Sequence, residues 1–141
     1  MSQPFVVDAS VAAKWLFKEH DSELAETLRG WRLIAPPLLW LECGSVIWSR
    51  IRRGLLDARE VPALLPYLEV VPVEPVTMER RLDLVLRVAI ELCHPVYDCT
   101  YLALAVANDV RVVTADRRFV RAVQKNDLLA PHIVLLADLA H

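Results

Sequence analysis

HPVYDCTYLALAVANDVRVVTADRRF, residues His94–Phe119, changes pattern abruptly at two points, and each change carries a carboxylate. From Asp98 to Ala107 the chain is almost wholly apolar and rich in Ala and Leu, which favours a buried helix with Asp98 as its N-cap. Arg111–Thr114 then reads as a short β-branched strand, reached through the tight Asn108-Asp109 connection. Asp116 follows where that strand stops.

A helix of this kind leading straight into a strand points to an α/β protein, in which ligands gather beyond the carboxyl ends of parallel strands. Working outward, Pro4–Val7 is a second compact apolar run, followed by Asp8-Ala9-Ser10 and a helix over Val11–Phe17. Asp8 and Asp116 thus hold equivalent places after two strands. If those strands are neighbours in one parallel sheet, the two acids lie together near its topological switch point.

The remaining chain supplies the other elements. Ser22 is placed to cap a helix to about Arg29, closed by Gly30, and Arg32–Ala35 reads as the next strand. Pro36-Pro37 opens a helix over Leu38–Arg53, and Asp57 caps a short helix to about Leu65, interrupted at Pro66. Val70–Val73 reads as the third strand, ended by Pro75. Thr77 opens a long helix to Leu92 whose Leu82, Val85, Ala89 and Leu92 recur at helical spacing, and the helix after Asp116 runs to about Gln124. His132–Leu136 is the last strand. No repeat, linker or low-complexity tract interrupts residues 1–141, which suit a single domain.

At 55% hydrophobic residues the chain is globular and apolar enough that surfaces for partners are expected. No apolar run reaches bilayer-spanning length and no basic leader precedes a long apolar segment, so a cytoplasmic location is expected. Cys43, Cys93 and Cys99 cannot all pair, lack CxxC spacing, and read as small buried side chains of apolar helices rather than a zinc site. The three glycines form neither a dinucleotide fingerprint nor a P-loop. A net charge of −2 does not advertise a nucleic-acid binder, yet Arg50, Arg52 and Arg53 form one basic cluster and Arg117, Arg118 and Arg121 another. The first also suits the last turn of a helix before Gly54.

Glu42 is the only charge between Pro36 and Ser49. On a helix, Trp40, Gly44, Ile47 and Ile51 share one face, while Glu42 shares another with Leu38, Ser45, Val46 and Ser49. A solvated face usually carries several long charged side chains, so this stripe of small polar residues reads as a cleft with one carboxylate. Each of Asp8, Asp98 and Asp116 alone has a cap to explain it. Their coincidence is informative, because carboxylates that converge repel by about 4 kcal/mol per pair at an effective dielectric of 20. Protonation or a divalent cation offsets that repulsion. Several carboxylates without nearby His suit Mg²⁺ or Mn²⁺, ions that bind phosphates and activate water, so the pattern points to a metal-dependent phosphodiesterase or nuclease.

The run PFVVDASVAAKWL, Glu42 in PPLLWLECGSVIW, Asp98 in HPVYDCTYLALA and the ending VVTADRRF resemble, in order, the four motifs of PIN-domain ribonucleases, most closely the VapC-type toxins of toxin–antitoxin pairs. The resemblance covers nearly the whole chain. It implies a three-layer α/β/α fold around a parallel sheet, with Asp8, Glu42, Asp98 and Asp116 as ligands of Mg²⁺ or Mn²⁺. Ser10 and Thr114 match supporting hydroxyl residues of the motifs. The implied reaction is hydrolysis of RNA by metal-activated water, and the implied partners are a second copy and an antitoxin that reaches the site. Trp15, Trp31, Trp40 and Trp48 are candidates for core or for those surfaces. Many relatives carry a further acid or Asn just after the fourth Asp, whereas Arg117 and Arg118 stand here, which makes them, with Arg50 and Arg53, candidate RNA contacts.

Two other readings are weighed against this one. A catalytically silent PIN-like module acting through protein partners is expected to have lost its carboxylates. A receiver-like phosphoacceptor is expected to show paired acids after the first strand and an acceptor Asp after a middle strand, where Val70–Val76 offers only Glu74.

Overall fold

In the computed structural model, which describes residues 3–140, five short strands form one parallel sheet in the order β3-β2-β1-β4-β5. These are β1 (Phe5–Val7), β2 (Leu33–Ala35), β3 (Val73–Pro75), β4 (Val112–Thr114) and β5 (Ile133–Leu135). The helices are α1 (Ala9–Leu16), α2 (Ser22–Thr27), α3 (Leu38–Arg52), α4 (Val61–Glu69), α5 (Leu82–Leu92), α6 (Val96–Ala107) and α7 (Arg117–Gln124). With the right-handed crossovers that parallel strands take, this order sets α1–α4 on one face and α5–α7 on the other, consistent with α1 touching α2, α3 and α4 while α5 packs on α6. The result is the expected three-layer α/β/α sandwich.

The strands are apolar on both sides because both faces are covered. Val6, Val7, Val112 and Val113 are fully buried, as are Leu102, Ala103 and Ala105 of α6, which rests on β1 and β4. The chain turns between β1 and β4: connections run outward to β2 and β3 on one side and to β5 on the other. β1 and β4 are in register, Val7 opposite Val113, so Asp8 and Asp116 leave the same edge from adjacent strands. The neighbour relation anticipated from the two apolar runs holds.

Several expectations are corrected. The third strand is Val73–Pro75 rather than Val70–Val73, because α4 continues through Pro66 to Glu69 and leaves Val70 as its C-cap. Pro66 is tolerated on an exposed flank of α4, where the carbonyl it leaves unpaired reaches water. Pro75 is tolerated because β3 is an edge strand and needs no amide on its outer side. The Thr77 helix starts later, as a 3-10 turn over Glu79–Arg81 before α5, and its buried seam is Leu84, Val85, Val88 and Ala89, with Leu82 half exposed. Ser22 is the first residue of α2, not its cap; Asp21 holds that place in a left-handed conformation, φ 64°. On α3 the buried seam is Leu39, Cys43 and Ile47, and Gly44 is exposed. Cys43 and Cys99 are buried as expected; Cys93 is exposed. Among the described residues no helix is long and apolar enough to cross a membrane.

Candidate active site

Asp8 and Asp116 are built the same way. Each ends a strand in extended backbone and caps the following helix: Asp8 Oδ1 accepts from the amides of Ser10 and Val11, at 3.1 and 3.3 Å, and Asp116 Oδ1 from those of Arg118 and Phe119, at 3.0 and 3.1 Å. Capping and site-building are therefore one arrangement here, because a helix N-terminus favours a carboxylate wherever the strand delivers it.

A hydroxyl network joins the two loops. Ser10 Oγ donates to Asp8 Oδ1 at 2.5 Å and accepts the Ala115 amide at 2.9 Å. It lies 3.3 Å from Thr114 Oγ1, which in turn accepts the Asp116 amide at 3.1 Å. Thr114 is fully buried, and these contacts satisfy its hydroxyl. The two supporting hydroxyls thus fix the β1 and β4 loops to each other.

Asp98 stands differently from the expectation. The helix starts three residues earlier, at Val96 with Pro95 rather than Asp98 in the cap position, so Asp98 lies in the first turn of α6 and caps nothing. Its Oδ2 instead meets His94 Nε2 at 2.8 Å, and the His94 ring stacks on Phe119 at 4.8 Å. Glu42 lies on the second turn of α3, which begins just past the carboxyl end of β2. Tyr101 of α6, only 1% exposed, donates its hydroxyl to Glu42 Oε1 at 2.6 Å.

Asp8 and Glu42 both lie within the electrostatic reach of Asp98. Burial, reinforced by Asp98, lifts Asp8 from 3.8 to about 6 against its own hydrogen bonds. Burial first, and again Asp98, raises Glu42, while the Tyr101 hydrogen bond pulls it back. The Tyr101 phenol is itself pushed far up, by burial and then by Glu42, so it stays a donor. Asp8, Glu42 and Asp116 have no ion pair with Lys or Arg among the described residues.

Beyond Glu42, Ser45, Val46, Ser49 and Arg53 of the α3 stripe line an open cleft of about 430 Å³ together with Ala9, Glu19 and Arg50. Here the reading of that stripe as a cleft is what the structure contains. Arg50 is fixed by Glu19, at 3.1 Å, and by the face of Phe17, at 4.0 Å. Arg117 and Arg118 are exposed in the first turn of α7, beside Asp116. Trp31 and Trp48 are half exposed, whereas Trp15 and Trp40 are partly buried and donate to the carbonyls of Ala25 and Leu68.

Oxygen-only donors whose repulsion no cation relieves fit a hard divalent ion in type and charge. Among the described residues, no three acidic, histidine or cysteine side chains converge closely enough to hold one as they stand, with Glu42 tethered to Tyr101 and Asp98 to His94. Those two tethers were absent from the sequence reading. Spacing held a partial signal, since Tyr101 follows Asp98 by three residues within α6, an interval that brings it to the acid-bearing side of the helix, whereas His94 lies outside α6 and its contact had none.

A doubly wound parallel sheet with acids at its switch point defines a class of α/β proteins that act on ligands at one sheet edge. Residues 5–125 match the PIN domain family, and the chain belongs to it. Domains of this family are generally nucleases and usually bind divalent metal ions. Among solved structures the chain is similar to PAE2754 from Pyrobaculum aerophilum, with 27% identity and a TM-score of 0.67 over 96% of this chain and 85% of that one. No match is found among curated proteins.

Proposed function

We propose that the chain is a Mg²⁺- or Mn²⁺-dependent endoribonuclease, the toxin of a VapC-type toxin–antitoxin pair. The observation that carries this reading is the arrival of acids from separate segments at the switch point of a PIN fold, with Asp8 and Glu42 raised by burial first and by Asp98 in addition. Asp8 and Asp116, rigid as helix caps, and Asp98 would hold the ion, with Glu42 completing the set or orienting water. A bound ion of this kind supplies positive charge to the phosphate and lowers the pKa of a water. The chain's own part is to fix the carboxylates: Ser10 and Thr114 lock the two loops, and Tyr101 holds one oxygen of Glu42. Arg117 and Arg118 stand beside Asp116, where a backbone phosphate passing the site meets positive charge.

An antitoxin and a second copy are proposed partners. Leu41 and Trp48 of α3, Leu55, Leu65 and Tyr67 are large apolar side chains left exposed, and they supply surface for such contacts. The silent-module reading has one observation in its favour: among the described residues no three donors lie close enough together to hold an ion as they stand. Incubating the purified protein with RNA and Mn²⁺ separates the two. Cleavage removed by EDTA and reduced about 10²-fold or more in Asp8→Asn and in Asp98→Asn is expected of the nuclease. Undiminished cleavage in both variants refutes the catalytic assignment.

A further inference from the structure

Three of the four acids are held by contacts already described, Asp8 and Asp116 by the helices they cap and by the Ser10 and Thr114 hydroxyls, and Glu42 by Tyr101. Asp98 has none of these. It is nevertheless the acid whose charge reaches both Asp8 and Glu42, so its orientation matters to the whole set. The one hydrogen-bond partner of its carboxylate among the described residues is His94, whose Nε2 lies 2.8 Å from Oδ2.

His94 is itself fixed on several sides. Pro95 disfavours helical backbone at the residue before it, so α5 stops and Cys93 turns the chain in the left-handed region. The His94 amide donates to the Ala89 carbonyl at 3.1 Å, and the His94 carbonyl accepts from Cys99 Sγ at 3.7 Å. Its backbone is thereby tied to α5 at one end and to α6 at the other.

The ring is held as firmly. It stacks on Phe119 with centroids 4.8 Å apart and planes 30° apart, and the His94 side chain is 21% exposed. Phe119 is fully buried in the first turn of α7, and its amide is one of the two that Asp116 Oδ1 accepts. One imidazole thus meets the acid of α6 with its edge and, with its face, the turn that Asp116 caps. An ionised carboxylate only accepts, so the proton of the bond to Asp98 belongs to Nε2. That bond engages Oδ2 and leaves Oδ1 without a hydrogen-bond partner among the described residues. Metal-binding carboxylates are commonly oriented by such a partner, one that does not itself touch the ion, and its loss costs about 10–100-fold in metal affinity.

We propose that His94 is a positioning residue of the site: braced on Phe119, it donates Nε2–H to Oδ2 of Asp98 and so leaves the other oxygen of Asp98 oriented for a divalent ion. The inference rests on the metal-dependent reading and adds to it the residue that sets one of the ligands. Two substitutions separate the N–H from the ring. His94→Gln keeps a donor near the Nε2 position and gives up the stack, whereas His94→Phe keeps the stack and gives up the donor. Mn²⁺ affinity is measured by calorimetry on the full chain at pH 8, above the ordinary imidazole range, with thermal melts in EDTA alongside. His94→Phe is expected to melt near the parent's temperature and to bind Mn²⁺ about tenfold more weakly. His94→Gln is expected to melt lower and yet to bind within about threefold of the parent. A purely structural role predicts the opposite ranking, with affinity following the melting temperature. Parent-like binding in His94→Phe overturns the proposal, and so does tighter binding, which would mean that the tether withholds the oxygen. His94→Gln binding as weakly as His94→Phe overturns it as well. Affinity that follows the N–H in a protein that cuts no RNA with Mn²⁺ keeps the role of His94 and removes the nuclease. Cleavage by the parent together with unchanged affinity in His94→Phe does the reverse, and a parent that binds no Mn²⁺ removes both.

Discussion

Asp8 is held in a state that costs stability. A carboxyl whose folded pKa is about 6 against an ordinary 3.8 is favoured in its protonated form, so folding gains from Asp8 below about pH 4 and loses that gain as pH rises through 6. The unfolded chain binds fewer protons in that window, which makes stability fall there. A shift of this size amounts to about 1–3 kcal/mol. Asn caps a helix as well as Asp does and carries no charge, so Asp8→Asn is expected to unfold at a higher temperature than the parent at pH 8, with the difference closing toward pH 4. Thermal melts across pH without added metal check this, and a variant less stable at every pH would contradict it. Tyr101 shows the same residue-level logic from the donor side. Phe fills its buried place, so Tyr101→Phe removes little more than the hydroxyl on Glu42, a bond to a charged group. Mn²⁺ affinity is expected to fall about three- to tenfold, as about 1 kcal/mol for that bond implies, and to fall no further when the change is made in an Glu42→Gln background. Equal losses in both backgrounds would mean that the hydroxyl serves packing alone.

Elements explain which parts of the molecule the sequence disclosed. The β1 and β4 runs were legible because both faces of a parallel strand are buried, and Asp8 and Asp116 were legible because they sit where those runs stop. Glu42 was legible by contrast, a lone charge on a small-residue stripe. Misreadings arose where a neighbour decides the outcome. Pro66 and Pro75 break helices and strands only when their missing amides are needed, and neither is, one on an exposed flank and one on an edge strand. The start of α6 was misplaced because Asp98 has the look of a cap, while its carboxylate is taken by His94 from the preceding turn. Cys93 carries a related local strain. It ends α5 in the left-handed region, φ 51°, where its amide reaches the carbonyl of Ile90 and the His94 amide that of Ala89. Glycine takes that conformation freely, so Cys93→Gly is expected to stabilise the fold by about 0.5–1 kcal/mol, read as a shift in denaturant midpoint with unchanged slope. Destabilisation would show that the exposed thiol makes a contact worth more than the backbone strain.

For the whole molecule, the burial of Asp8 at the sheet edge couples protons to folding, and a metal bound there would be coupled to both. Whatever binds the native chain and not the unfolded one stabilises it by RT ln(1 + [L]/Kd), about 2.7 kcal/mol at a hundredfold excess over Kd. A divalent ion at the carboxylates must displace the proton that Asp8 retains below about pH 6, so metal and protons compete for the same oxygens. The rise in melting temperature caused by a fixed Mn²⁺ concentration is therefore expected to be small at pH 5 and to grow through pH 6 to a plateau by pH 8. The parent alone is destabilised over the same interval, so the metal restores what deprotonation removes. In Asp8→Asn the rise should be lost or much reduced, since the variant has neither the charge that repels nor the ligand that binds. Melts of both proteins with and without Mn²⁺ at each pH measure the coupling directly. A metal-induced rise that is the same at pH 5 and pH 8 would place the ion away from Asp8, and the sheet edge would then have to be explained by its caps alone.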